Sequence, residues 1–512
     1  MITKDVIAAI ATAPGQGAIG IVRISGDGAF KVLGRMFSVA RYESHRMYYG
    51  KIHKDGALVD EVMVCPMAAP KTYTSEDVVE IYTHGGMLVL HAVLDTALFY
   101  GARLAEPGEF TKRAFLNGRI NITQAEAVMD VISATSEAAR VNGLSQLGGG
   151  LGRQVEKIRD KILLWLAHIE LSIDYPEHED EAQNMSEILA EAGDIITQLE
   201  RLAGTAKIGR MLKEGVKTAI IGRPNVGKST LLNAILREDR AIVHQTPGTT
   251  RDVLTEHVLV NDVPLILMDT AGIRQTEDSI EKIGVEKSLQ AAQEAELVLY
   301  VVDKQNGILP QDEEMLDRLE GKHVVLVVNK CDLNDGQNRP QEAGEATPHS
   351  AIQHYPPPVS ADSFEADALS EATSKSVGRI FRPTDSDSGL PPAEPGMADS
   401  ITPNTAPCTR PALRISALNR EGLEELYGAI GEIFMGGIEQ NDSIITRERH
   451  VQLVAGALGH LKTAADEIVH GTPEDLVAIE LRSAYLALGE MLGVEIGDDV
   501  VDRIFAEFCL GK

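Results

Sequence analysis

Gly222-Arg-Pro-Asn-Val-Gly227-Lys228-Ser229 follows an apolar run of strand length, Val216 to Ile221, and opens a helix. In that setting the loop constrains the fold more than any other stretch. Its amides must face an anion at a helix N-terminus, and the strand before it must lie inside a sheet. The glycines let backbone N–H groups approach phosphate oxygens, Lys228 offsets β- and γ-phosphate charge, and the Ser229 hydroxyl supplies a Mg²⁺ ligand. Nucleotide contacts are expected from Asn225, Val226 and Gly227 through Lys228, Ser229 and Thr230. Further apolar runs at Leu265 to Met268, Leu297 to Val302 and Val324 to Val328 repeat the strand, loop, helix pattern and predict a parallel sheet covered on both faces.

Asp269-Thr270-Ala271-Gly272 ends the second of these strands, which puts a carboxylate near the metal and a glycine N–H near the γ-phosphate. Asn329-Lys330-Cys331-Asp332 ends another. Asp332 suits the paired N–H donors of a guanine edge, and adenine would leave that acceptor unpaired. Ser416-Ala417-Leu418 completes the base pocket by backbone contact. The polar loop His244-Gln245-Thr246-Pro247-Gly248-Thr249-Thr250 offers threonines to Mg²⁺ and γ-phosphate. After Gly272 stands Ile273, where many GTPases of this fold place a water-orienting glutamine, so Glu281 is the candidate for that task. In this order the motifs predict a Ras-like P-loop G domain that hydrolyses GTP with Mg²⁺.

The chain's 512 residues suggest about three domains at roughly 100 to 200 residues each. Residues 1–118 alternate β-rich runs (Ala18 to Ser25, Val78 to Thr83) with glycines and read as α+β. Thr123 with Glu126 is expected as a capping box opening a helical segment, 119–212, in which Val155, Ile158, Ile162, Trp165 and Ile169 share a face and Pro176 ends the helix. The G domain is placed at 213–436. Helix resumes over 437–512, with Thr472 as N-cap, Pro473 at the first helical position, and a final stripe of Val501, Ile504, Phe505 and Phe508. The nucleotide domain therefore interrupts one discontinuous helical domain. Residues 333–412 hold 12 of the 22 prolines, with 11 acidic against 5 basic side chains, and read as a disordered insertion of unassigned role.

The formal charge of −28 disfavours general adhesion to nucleic acid. No run approaches the ~20 apolar residues of a membrane span, and no secretory leader is visible, so a soluble, cytoplasmic protein is expected. The four cysteines (Cys65, Cys331, Cys408, Cys509) lack the spacing of a disulfide framework or zinc site.

Several blocks resemble the bacterial tRNA-modification GTPase family called MnmE or TrmE: Glu106-Pro-Gly-Glu-Phe-Thr-Lys-Arg-Ala-Phe-Leu-Asn117, Gln124-Ala-Glu-Ala127, the phosphate loop, Gly248 to Asp252, Asp269 to Arg274, and Phe508-Cys-Leu-Gly-Lys512. The likeness spans nearly the whole chain apart from 333–412. It implies an N-terminal folate-binding and dimerising domain, a homodimer, and a K⁺-activated G domain. In that domain Asn225, carbonyls of His244 and Thr246, and Thr249 hold K⁺, Ser229 and Thr250 hold Mg²⁺, and Glu281 positions water. It further implies a flavoprotein partner, MnmG, which carries the FAD, and a tRNA substrate. A carboxymethylaminomethyl or aminomethyl group is placed on the wobble uridine, its one-carbon unit drawn from a tetrahydrofolate derivative in the 5-formyl or 5,10-methylene form. Arg23, Glu80, Arg119 and Lys512 match the folate site, although the family usually has lysine at the position of Arg119. From the residues alone, Arg23 and Glu80 would simply pair with each other. Cys509 matches a cysteine associated with the modification chemistry.

Overall fold

The computed structural model describes residues 5–174, 185–237, 256–268, 290–319, 321–333, 412–436, 443–494, 497–506, 508 and 511. They form two compact units, one of Met1–Gly209 with Asn441–Lys512, the other of Arg210–Gln440.

The first unit begins with a six-stranded sheet of order β3-β4-β5-β2-β1-β6: β1 (Ile7–Ile10), β2 (Ile19–Ser25), β3 (Tyr48–Lys54), β4 (Ala57–Met67), β5 (Val78–His84) and β6 (Arg103–Leu104). Alternation of apolar and polar residues decides which way each strand faces. Val22 and Ile24 of β2, Val79 and Ile81 of β5 and Val64 of β4 are buried against helices α1 (Ala29–Met36) and α2 (Met87–Phe99), which share one core with them. Arg23 and Glu80 therefore emerge on the opposite face, where Ile7, Ala9 and Phe110 of α3 (Glu109–Leu116) form a smaller core with Tyr73 packed on it.

Helices α4 (Ile122–Ser133), α5 (Glu137–Leu147), α6 (Gly150–Asp174), α7 (Met185–Gly204) and α8 (Ala206–Glu214) follow. The cap of α4 corrects the sequence reading. Asn121, not Thr123, is the N-cap, accepting from the Gln124 N–H at 2.9 Å while the Gln124 side chain accepts from the Asn121 N–H at 3.1 Å. Asn121 has the extended backbone that an N-cap requires, and Glu126 is turned inward to other work. On α6 the expected stripe from Val155 to Ile169 is buried. The helix ends at Asp174, and Pro176 lies outside the described residues.

The second unit carries β7 (Val216–Ile221), α9 (Lys228–Leu236), β8 (Glu256–Val260), β9 (Val263–Leu267), β10 (Leu297–Asp303), α10 (Pro310–Asp317), β11 (His323–Asn329), β12 (Leu413–Arg414) and α11 (Leu423–Met435). Its sheet runs β12-β11-β10-β7-β9-β8, parallel from β12 through β9 as expected. All seven residues of β10 are buried, as in a strand covered on both faces. The edge strand β8 is antiparallel, joined to β9 through Asn261 and Asp262, both at positive φ as a tight hairpin requires.

Back in the first unit, α12 (Glu448–Val469) and α13 (Glu474–Leu492) pack with α6 and α7 around Trp165, Leu199, Leu461 and Leu488, so one helical core draws on two distant parts of the chain. Pro473 takes the N-cap position of α13 and Glu474 is its first residue, one place later than expected. In α14 (Asp498–Ala506) and just beyond it, Val501, Phe505 and Phe508 pack on Ile122 and Val128 of α4.

Candidate functional site

β7 lies between β10 and β9, where the strand order reverses, and its carboxyl end opens the phosphate loop. Gly222 leaves the strand so close to β10 that a Cβ would lie 2.1 Å from the Val301 carbonyl oxygen. Gly227 is the N-cap of α9 at φ 100, and a Cβ there would meet Asn329 Nδ2 at 2.2 Å. No other residue type fits both the backbone and the space. Lys228 Nζ donates to the Gly222 and Arg223 carbonyls at 2.8 and 2.7 Å, arching over the loop that a phosphate would occupy. Burial pushes its ammonium below the ordinary lysine pKa. Ser229 and Thr230 stand in the first turn of α9, where the helix dipole favours an anion.

The loop is tied to the base side by buried bonds. Asn329, 2% exposed at the end of β11, donates to the Val226 carbonyl at 2.8 Å and accepts from the Ala417 N–H at 3.0 Å. It is thus a strut between the phosphate loop and the Ser416-Ala417-Leu418 segment. Lys330, at φ 62, donates through Nζ to the Asn225 carbonyl at 2.5 Å, and Asn225 is itself held at φ 62. Asp332 Oδ1 accepts from Ser416 Oγ at 2.6 Å, which orients the carboxylate, while Leu418 projects outward at 76% exposed. Pairing of Ile415 N–H with the Val328 carbonyl at 2.8 Å brings these segments together across the long sequence gap.

A second cluster lies on the face of the N-terminal sheet away from α1 and α2. Arg23 and Glu80 are cross-strand partners and form an ion pair at 2.9 Å. Arg23 also donates to the Gly511 carbonyl at 3.3 Å, which brings the C-terminal segment to this sheet. The guanidinium groups of Arg23 and Arg119 lie 5.5 and 5.0 Å from the Tyr73 ring centroid, within cation–π range. Tyr82 donates to the second Glu80 oxygen at 2.8 Å, and burial together with that carboxylate pushes its hydroxyl up to about 12. Cys65, opposite Glu80 on β4, is raised by burial and by the same carboxylate. Tyr73 escaped the sequence reading because nothing in Lys71-Thr-Tyr-Thr-Ser-Glu76 separates it from a buried core tyrosine.

Other candidate residues lie outside the described residues: His244, Gln245, Thr246, Pro247, Gly248, Thr249, Thr250, Asp269, Thr270, Ala271, Gly272, Glu281, Cys509 and Lys512. Among the described residues no group of three or more His, Cys, Asp or Glu side chains is placed to hold a metal, and Cys65 and Cys331 are free thiols.

The parallel sheet, the phosphate loop at its switch point and the aligned Asp332 define a P-loop GTPase. Comparison with known proteins narrows this. The description "GTP-binding protein TrmE N-terminus" matches residues 6–119 and "MnmE helical domain" matches residues 122–509. The tRNA modification GTPase MnmE of Geobacillus kaustophilus (strain HTA426) is 41% identical over 519 residues, covering 99% of this chain and 99% of its own. That of Lactococcus lactis subsp. lactis (strain IL1403) is 41% identical over 514 residues, covering 99% and 98%. The chain belongs to the MnmE (TrmE) family of tRNA modification GTPases.

Proposed function

We propose that the chain hydrolyses GTP with Mg²⁺ and K⁺ and, with the flavoprotein MnmG, places an aminomethyl or carboxymethylaminomethyl group on C5 of the wobble uridine, position 34, of certain tRNAs. The observation that carries the nucleotide half is the Ser416–Asp332 bond at 2.6 Å in a pocket that Asn329 joins to the loop bearing Lys228. An aligned, acceptor-only carboxylate selects guanine by its paired N–H donors.

Within that reading Lys228 binds the β- and γ-phosphates and Gly227 caps them from the helix terminus. The Ser229 hydroxyl, with Thr250, would hold a hard divalent ion, for which oxygen donors are the fitting ligands. Mg²⁺ supplies charge neutralisation at those oxygens. Asn225, exposed on the loop rim and fixed by the Lys330 bond, suits K⁺ together with His244, Thr246 and Thr249. Contacts along 244–250 and Asp269–Gly272 complete the nucleotide site, and Glu281 orients the attacking water, a task Ile273 cannot perform.

Glu80 accepts from the pterin N–H donors of a tetrahydrofolate derivative, whose carboxylates are met by Arg23, Arg119 and Lys512. The two guanidinium groups on Tyr73 support this reading, since they supply cationic and planar contacts side by side. Cys509 acts in the modification chemistry. Residues 1–118 serve folate binding and dimerisation, 119–212 with 437–512 form the helical domain, and 213–436 is the motor. The protein is a cytoplasmic homodimer; among the described residues no helix is long and apolar enough to cross a membrane.

Nucleoside analysis of tRNA from cells lacking the protein tests the assignment: normal wobble-uridine modification would sink it. Equal GTPase rates in Na⁺ and K⁺ would remove the potassium role, and unchanged turnover after Glu281→Ala would remove the role of that carboxylate.

A further inference from the structure

A saturated buried carboxylate packs against the side chain of the phosphate loop's second residue. Asp312, in the first turn of α10, is 1% exposed at its side chain. Oδ1 accepts from Tyr300 Oη at 2.8 Å and from Arg223 Nε at 3.2 Å; Oδ2 accepts from the Leu309 N–H at 2.8 Å and lies 3.1 Å from Arg223 Nε. The far end of the Arg223 guanidinium donates to the Gly307 carbonyl at 2.8 Å. The turn that carries this carbonyl is held by Asp303, whose carboxylate accepts from the Asn306 N–H and side-chain amide at 2.7 and 2.9 Å and whose carbonyl accepts from the Gly307 N–H at 3.0 Å.

Arg223 is the second residue of the phosphate loop, and its own carbonyl is one of the two acceptors of Lys228 Nζ. Its side chain is thus gripped by α10 through Asp312 and by the turn after β10 through the Gly307 carbonyl, with Tyr300 of β10 holding Asp312 in place, while its backbone shapes the cradle. A buried ion pair brings little net stability, because desolvation offsets most of the attraction, and its clearer effect is to fix one geometry. Arginine suits this role where lysine does not, since its planar fork can meet a carboxylate and a carbonyl together.

We propose that Asp312 is a positioning residue for GTP: by clamping Arg223 it sets the arch of the phosphate loop, and through the Arg223 carbonyl the place of Lys228. This rests on the GTPase reading above, and it adds two residues that the loop motif does not specify. Sequence hides the pair because an acidic residue in a first helical turn ordinarily serves the helix dipole.

The test uses the full chain with Asp312→Asn, Arg223→Lys, Arg223→Met and the double variant Asp312→Asn/Arg223→Met. Dissociation constants for GTP and GDP, KM, kcat and thermal midpoints are measured for each. Arg223→Met and Asp312→Asn are each expected to weaken GTP binding about tenfold, with the loss of kcat/KM appearing in KM and the double variant no weaker than the worse single one, the mark of residues acting as a unit. Arg223→Lys, which keeps a charge beside Asp312 and so keeps the fold, is expected to lose about half of that effect on a logarithmic scale. GTP affinity within twofold of wild type in Arg223→Lys and in whichever other variants fold, with only lowered thermal midpoints, would overturn the proposal, as would independent multiplying losses in the double variant. Wild-type protein that does not bind GTP would instead sink the GTPase reading itself.

Discussion

Glu126 of α4 meets His450 of α12 at 2.8 Å, with the histidine wholly buried and the carboxylate side chain 3% exposed. Arg449 reaches the same carboxylate at 3.1 Å, and Arg447 bonds the Glu126 carbonyl at 2.9 Å and Asp130 at 2.8 Å. Asn142 and Gln146 hold the Ile444 carbonyl at 3.2 and 2.6 Å. The segment that returns the chain to its helical unit is therefore strapped onto α4 through charge and onto α5 through neutral amide hydrogen bonds.

Burial alone would raise the Glu126 pKa, but the bond from His450 and the charges of His450, Arg449 and Arg447 outweigh it and hold the group at about 2, against 4.5 unperturbed. A folded-state pKa below the unfolded one contributes stability that is present above pH 4.5 and lost as pH falls toward 2. Glu126→Gln is expected to cost about 3 kcal/mol at pH 7 and progressively less below pH 4.5. Urea unfolding of both proteins across that pH range checks it; a constant difference would refute the assignment.

Gly209 of α8 backs onto the same strap, and a Cβ there would lie 1.8 Å from the Ile445 carbonyl oxygen. Gly209→Ala is expected to destabilise by about 1 to 3 kcal/mol, because backbone on both sides must move. Gly193, on the exposed face of α7 with nothing within 4 Å of its Cβ position, is the control. Gly193→Ala is expected to stabilise by about 0.5 to 1 kcal/mol through helix propensity. Thermal melts of the two variants should move in opposite directions.

Ser416→Ala removes the hydroxyl that orients Asp332. GTP affinity is expected to fall by about tenfold, and the preference for GTP over ITP, which lacks the exocyclic amine, to shrink. Competitive titration of the two nucleotides measures both, and an unaltered preference would separate Ser416 from base selection.

Arg23→Met leaves Glu80 half-buried without its cation. Binding of 5-formyltetrahydrofolate is expected to weaken by about tenfold or more, with GTP affinity unchanged. Calorimetric titration of each ligand distinguishes a folate contact from a general loss of fold.

Regular patterns were the legible part of the sequence. β10 is an unbroken apolar run from Leu297 to Val302 and could only be an internal strand, and the stripe on α6 spaced Val155 to Ile169 faces the helical core as its periodicity requires. The β8–β9 hairpin was missed although Asn261-Asp262 is a turn signal, because Glu256 and His257 dilute a strand of five residues. The cap of α4 was misplaced by two positions, since Asn121, Thr123, Gln124 and Glu126 allow two overlapping registers and only packing chooses between them. Asn329 as a strut and Asp312 behind the loop are contacts over 103 and 89 residues of sequence. Pairings at such range leave no local trace.

The helical core joins α6 and α7 to α12 and α13, and that connectivity has a consequence for how the protein is made. At roughly 5 to 20 residues per second, translation takes on the order of 10 to 50 s to pass from Leu202 to Val454. Throughout that interval the apolar stripes of α6 and α7, Trp165 among them, emerge from the ribosome without their partners. The sheet of the N-terminal region and the nucleotide-binding unit can each close on the nascent chain, whereas the bundle must await the last segment. Nascent-chain association with trigger-factor-like holdases should accordingly peak on the stretch from Leu151 to Leu202, the part of this polypeptide finished early and buried late.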